Sequence, residues 1–133
     1  MNDHGLITLA SQHAVKATID RLESAAKSKG LTIFARIDHA AGAAAVDLAL
    51  RPTELLIFGN ARGGTPLMQL AQTAGIDLPL KALAWEDAAG KTWLSYNDPA
   101  WLAERHNVAE QGAAVAKTLG NVLAALAQEA TGA

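Results

Sequence analysis

The 133 residues carry 11 Lys and Arg against 13 Asp and Glu, a net charge of -2 with a pI near 6.0, so the chain lacks the cationic excess on which nucleic-acid affinity depends. There is no cysteine, which excludes disulfides, thiolate metal sites and thiol nucleophiles and fits a reducing cytoplasm. A half-hydrophobic chain of this length is expected to fold as one domain over residues 1–133; its N-terminus "MNDHGLITLASQHAVKATID" is broken by polar residues and no apolar run approaches ~18, so a cytoplasmic protein without signal or membrane span is expected.

In chain order, "GLITLAS" predicts a strand that hands over to a helix capped by Ser11. In that helix Val15, Ile19, Leu22 and Ala26 recur at helical spacing, and Gly30 stands where a left-handed C-terminal residue is wanted. "LTIFARID" has strand composition, and strict alternation puts Ile33, Ala35, Ile37 and His39 on one face with Phe34, Arg36 and Asp38 on the other. "HAAGAAAVDLALRP" fits a helical turn followed by an extended piece, and "TELLIFGN" is a buried strand entered at Pro52.

Thr65-Pro66 reads as an N-cap and first helical residue, starting a helix that runs to about Ala74 and is stopped by Gly75. "DLPLKALAWED" and "KTWLSYND" form a hairpin turning at Gly90, with Lys81, Leu83, Trp85 and Asp87 on one face of the first strand and Trp93, Ser95 and Asn97 on one face of the second. Asp98-Pro99 starts a short helix to His106, and a last helix spans about Ala109 to Gln128 with a stripe of Val115, Leu119, Val122 and Leu126. A hairpin among helices argues against a doubly wound parallel sheet. The expected fold is α+β, a two-layer sandwich with a mostly antiparallel or mixed sheet of about five strands covered by helices on one face.

The chemistry is narrower. Gly59-x-x-x-Gly63-Gly64-Thr65-Pro66 lacks the lysine and the spacing of a nucleotide loop, leaving a strand-to-helix turn with Arg62 that serves either as a tight turn or as an anion site at a helix N-terminus. His4, His13, His39 and His106 never take metal-binding spacing, so no metal and no cofactor is predicted. His39 is placed for acid–base work or for a backbone bond at its strand end, and His106 for capping helix carbonyls. Lys81 sits mid-strand, where an ammonium needs water or a carboxylate such as Asp77, Glu86 or Asp87. Tyr96 and Asn97 are expected at the same sheet end as His39. No nucleophile elbow surrounds any serine.

The words "TIDRLESAAKSKGLTIFARIDHAAGA", "LRPTELLIFGN", "GTPLMQLAQTAGIDLPLKALAWED" and "WLSYNDPAWLAERH" closely resemble the bacterial family of domain of unknown function 302, from about Gly5 to His106. The resemblance implies a compact α+β domain assembling as a homodimer, and no established activity. It differs after Asn60, where Ala61-Arg62-Gly63 replaces the family's Pro-Lys-Ala and keeps a basic residue. The leading expectation is a binding domain whose site draws on Asp38, His39, Asn60, Arg62, Thr65, Lys81, Tyr96 and Asn97 for a small polar or anionic molecule. The alternatives are an enzyme with His39 as general base, and a dimerisation module that buries Trp85 or Trp93 against a second copy; no nucleic-acid or membrane partner is expected.

Overall fold

In a computed structural model that describes residues 3–133, the chain forms five strands and five α-helices. They are β1 Leu6–Ala10, α1 Val15–Ser28, β2 Thr32–Asp38, α2 His39–Ala45, β3 Thr53–Gly59, α3 Ala61–Leu70, β4 Leu80–Glu86, β5 Thr92–Asn97, α4 Pro99–Arg105 and α5 Ala113–Thr131, with 3-10 turns at Asp3–Gly5 and Gln72–Ile76. The strands form one sheet in the order β1-β5-β4-β3-β2, every neighbouring pair antiparallel. The α+β two-layer expectation therefore holds, with the sheet antiparallel throughout.

Alternation along the central strands decides which face is covered. Leu56 and Phe58 of β3, Ala82 and Ala84 of β4 and Leu94 and Tyr96 of β5 are buried, and α1 and α5 lie on them with Ile19, Leu22, Ala26, Leu119, Leu123 and Leu126. Completely burying a side chain such as Phe58 contributes about 1.5–3 kcal/mol, so this layer is the main source of stability. A second apolar cluster, with Leu67, Ala103, Val108 and Ala116, ties α3 and α4 to the outer side of α5. The opposite sheet face carries Leu55, Ile57, Leu83, Trp85 and Trp93 in partly exposed positions without a helix over it.

Three expectations are corrected by packing. Ser11 does not cap α1: its hydroxyl bonds the Thr18 hydroxyl at 2.7 Å and accepts from His13 N–H, and the cap position falls at Ala14 without a side-chain bond. In β2 the pairing with β3 skips from Ile33 to Ala35, so a bulge at Phe34 puts Ile33 on the helix-covered face opposite Phe58 and sends Ala35 and Ile37 to the other. The last helix starts at Ala113 rather than about Ala109 and continues to Thr131. Gly30, by contrast, takes φ +77° just past the C-cap Lys29 of α1, the left-handed position its sequence context predicts.

Candidate ligand site

Local chemistry after β3 is decided by Asn60. Its backbone is extended and its side-chain Oδ1 accepts from Gly63 N–H at 2.7 Å, so Asn60 is the N-cap and α3 begins at Ala61. Thr65-Pro66 is thus inside the helix, not at its start, and the helix ends at Leu70, with a separate 3-10 turn over Gln72–Ile76. Pro66 removes the N–H that would bond the Arg62 carbonyl, a cost accepted within the first two turns. Gly63 is there for closeness: a Cβ on it would lie 3.2 Å from Asn60 Oδ1 and 3.5 Å from Leu119. The N–H of Gly63 is satisfied by the cap and that of Gly64 by the Asn60 carbonyl, so the glycines do not form an open phosphate cradle.

Between this helix start, the adjoining ends of β2, β3 and β4 and the outer surface of α5 lies a cavity of about 510 Å³. Its walls are mainly apolar, with Leu31, Phe34, Met68, Leu78, Leu80 and Val122 prominent, and Asn60, Arg62, Thr65 and Thr118 supply polar side chains. The bulge in β2 accounts for Phe34, which an unbroken strand would aim elsewhere; it is 53% exposed. Arg62 is the single ionisable residue in the lining, and it has no hydrogen bond or ion pair among the described residues. The volume is within the roughly 300–1,000 Å³ typical of small-molecule sites.

Of the eight residues expected to form the site, the structure brings Asn60, Arg62 and Thr65 together and disperses the rest. Asp38 pairs with Glu54, six residues of β3 away from Asn60, which at strand rise is roughly 20 Å. Its carboxylate caps α2 by accepting from Ala41 N–H, and His39, the first residue of that helix, is exposed. Tyr96 and Asn97 lie at the Asn60 end of the sheet, not the His39 end as expected, because β5 runs antiparallel to β4 and Tyr96 pairs with Ala82. Tyr96 points into the helix-covered core, where burial, assisted by the charge of Asp98, pushes its phenol up from the usual range. Lys81 and Asn97 emerge on the opposite sheet face. The Lys81 ammonium donates to the Asp77 carbonyl at 3.1 Å, and burial pushes it down from the usual lysine value while the Asp77 charge pulls it back.

A polar cluster that no local pattern announces surrounds Asp77. Arg105 Nη1 reaches both carboxylate oxygens at 2.9 and 3.0 Å, His106 Nε2 lies 2.6 Å from Oδ2, and the other His106 nitrogen meets the Thr73 hydroxyl at 2.9 Å. His106, expected to cap helix carbonyls, instead uses both ring nitrogens to fasten the Gln72–Asp77 turn to the end of α4. That turn forms one rim of the cavity through Gly75. The alternation of Lys81, Leu83, Trp85 and Asp87 made β4 legible, but a contact between residues 29 apart required the fold.

The family model for the domain of unknown function DUF302 matches residues 7–126. The chain belongs to the DUF302 family. A crystal structure of an uncharacterized conserved DUF302 protein from Bacillus stearothermophilus superposes with a TM-score of 0.82 over 95% of this chain and 98% of that one, at 20% identity, which establishes the shared fold. Similarity also extends to proteins called fluoride-specific ion channel FluC 1 in Brucella suis and in Brucella abortus, each 57% identical over 106 residues. The match takes in 80% of this DUF302 chain but only 42% and 39% of those proteins, so the chain spans about two fifths of their length. Among the described residues no helix is long and apolar enough to cross a membrane.

Proposed function

We propose that this DUF302 domain binds a small molecule in the cavity between α3, α5 and the sheet end, with Asn60, Arg62 and Thr65 as its polar contacts. The observation that carries this reading is the cavity itself, which has the size of a ligand site and gathers three of the sequence-selected residues on one rim. Thermal-shift screening of a metabolite library tests it, because a ligand that binds only the folded state raises apparent stability. A compound that stabilises the wild type and loses its effect in Thr118→Trp, which blocks the mouth from an exposed position of α5, supports the site. Hits that are all unchanged by Thr118→Trp reject it.

The Brucella similarities give this reading a context. A segment without a spanning helix that is similar to two fifths of proteins called fluoride channels fits a binding module joined to a membrane part. Fluoride itself is a poor match for the cavity: a small, strongly hydrated anion needs several converging donors, and these walls are mainly apolar. Acid–base catalysis by His39 draws no support from the geometry, since His39 is exposed, is absent from the cavity lining and lies roughly 20 Å from Asn60.

A second reading, assembly as a homodimer, is favoured by where apolar side chains remain exposed. Ile37, Val46, Leu48 and Leu50 are all exposed along the β2–β3 connection, beside the uncovered sheet face with Trp85 and Trp93. Pairing of two copies there would bury both. Light scattering at micromolar concentration should give twice the chain mass of 13.8 kDa, and a Leu48→Glu variant should give the single mass; a monomeric wild type sinks this reading.

A further inference from the structure

Resting on the cavity reading above, we infer that the ligand is an amphiphilic monoanion: a single carboxylate or comparable head on an apolar body of medium length. The body follows from the walls. Leu31, Phe34, Leu78 and Leu80 on the sheet side face Met68 and Val122 on the helix side, and a polar body placed between them would lose water without gaining partners. Gly64 and Gly75 keep the passage open, because a Cβ at Gly64 would touch Leu78 at 3.5 Å and one at Gly75 would crowd the Met68 sulfur at 3.3 Å.

The head follows from charge. Arg21 donates to carbonyls at the end of α5, Arg36 to Glu54, Arg51 to the Glu86 carbonyl and Arg105 to Asp77, whereas Arg62 has no such partner among the described residues. No carboxylate lines the cavity to compete for it. One guanidinium offers a fork that matches one carboxylate, and with no second cation in the lining a phosphate of higher charge would be left half neutralised. Of the amides at the start of α3, those of Gly63 and Gly64 are already engaged by Asn60 and are not available to the head. Thr65 and Asn60 edge the same rim and orient the head without adding charge.

Calorimetric titration of the full chain with octanoate, octan-1-ol and acetate separates head from body. Octanoate should bind about tenfold more tightly than octanol, near the lower end of what a charge-assisted hydrogen bond gives, and acetate should not bind measurably. Arg62→Gln should bring octanoate down to the octanol affinity and leave octanol unchanged; Thr118→Trp should weaken both. Octanol binding as tightly as octanoate, or Arg62→Gln leaving their ratio intact, overturns the anionic head while the cavity reading survives. No binding of either chain overturns the amphiphile altogether, and the metabolite screen with Thr118→Trp then judges the cavity independently.

Discussion

Arg36 and Arg62 both lie on the helix side of the sheet, Arg36 opposite Leu56 in the middle of β3 and Arg62 just past the end of that strand, and their surroundings are opposites. Arg36 leaves β2 beneath α1, where its guanidinium meets Glu54, Asp20 at 2.7 Å and Glu23 at 3.4 Å, and its side chain is 25% exposed. The Glu54 hydrogen bond above all holds it even further above the usual arginine range, against the opposing effect of burial. Arg62 stands one residue into α3, exposed, with no carboxylate near it and an apolar cavity beside it. A cation ringed by carboxylates has its interactions spent on the fold; a cation left without partners at a cavity rim has them available for a ligand. Arg105, holding both Asp77 oxygens through a single nitrogen and 48% exposed, lies between these extremes.

The largest effect should come from the carboxylate cluster around Arg36. Glu54 is 8% exposed near the start of β3, and Glu54→Ala would leave the Arg36 guanidinium half-buried with its nearest partner gone. A loss of about 2–3 kcal/mol is expected in urea unfolding, below the full penalty for a broken buried pair because Asp20 and Glu23 remain. A loss under about 0.5 kcal/mol, the size of an ordinary surface change, would erase the distinction between the two arginines.

Next in size is Asp77→Ala, which frees Arg105 and leaves the inward-facing His106 ring without its carboxylate. About 1–3 kcal/mol should be lost, the cost of an orphaned buried polar group. Loosening the Gln72–Asp77 turn also moves Gly75 at the cavity rim, so the same variant should weaken any cavity ligand, a coupling that Glu54→Ala should lack. Equal ligand affinity in the two variants would show that the turn does not shape the rim.

Acid titration sharpens the comparison without changing a core residue. Asp20 is held below the usual carboxylate value of 3.8 chiefly by its hydrogen bond to Arg36, and Glu23 below 4.5 chiefly by Lys27 with help from Arg36. A depressed carboxylate stabilises the fold above its unfolded value and loses that contribution as pH falls through its folded value. Stability should therefore decline as pH is lowered from about 5 toward 3. The decline should be shallower in Arg36→Met and unchanged in Arg62→Gln, as read from urea midpoints. Asp87, lowered mainly by the Trp93 indole, adds a background slope common to all three proteins.

Most of the scaffold behind this comparison was legible from periodicity. The stripe of α1, the buried strand at Thr53–Gly59 and the hairpin turning at Gly90 each repeat a single pattern over enough residues to dominate their neighbours. The site was legible only in part. Asn60 and Thr65-Pro66 are both good helix starts locally, and the choice fell to Asn60 because Gly63 and Gly64 let an earlier α3 approach Leu119 and Leu78. The separation of His39 from Asn60 was implicit in the strand directions: antiparallel neighbours put the end of β2 beside the start of β3. Phe34 and the Asp77–His106 pair were not readable, since a bulge and a contact across 29 residues are settled by packing.

The smallest effect on stability is expected where the functional consequence is greatest. Arg62→Gln removes a charge that touches no partner in the folded chain, so the urea midpoint should move by no more than about 0.5 kcal/mol, as for surface changes away from buried features. Glutamine keeps the helix propensity and most of the length, so a change in octanoate affinity on this unchanged background would report the ligand contact itself. A destabilisation above about 1 kcal/mol would place Arg62 with Arg36 among cations that the fold depends on. The cavity would then have no charge in reserve, and its apolar walls alone would have to account for whatever it binds.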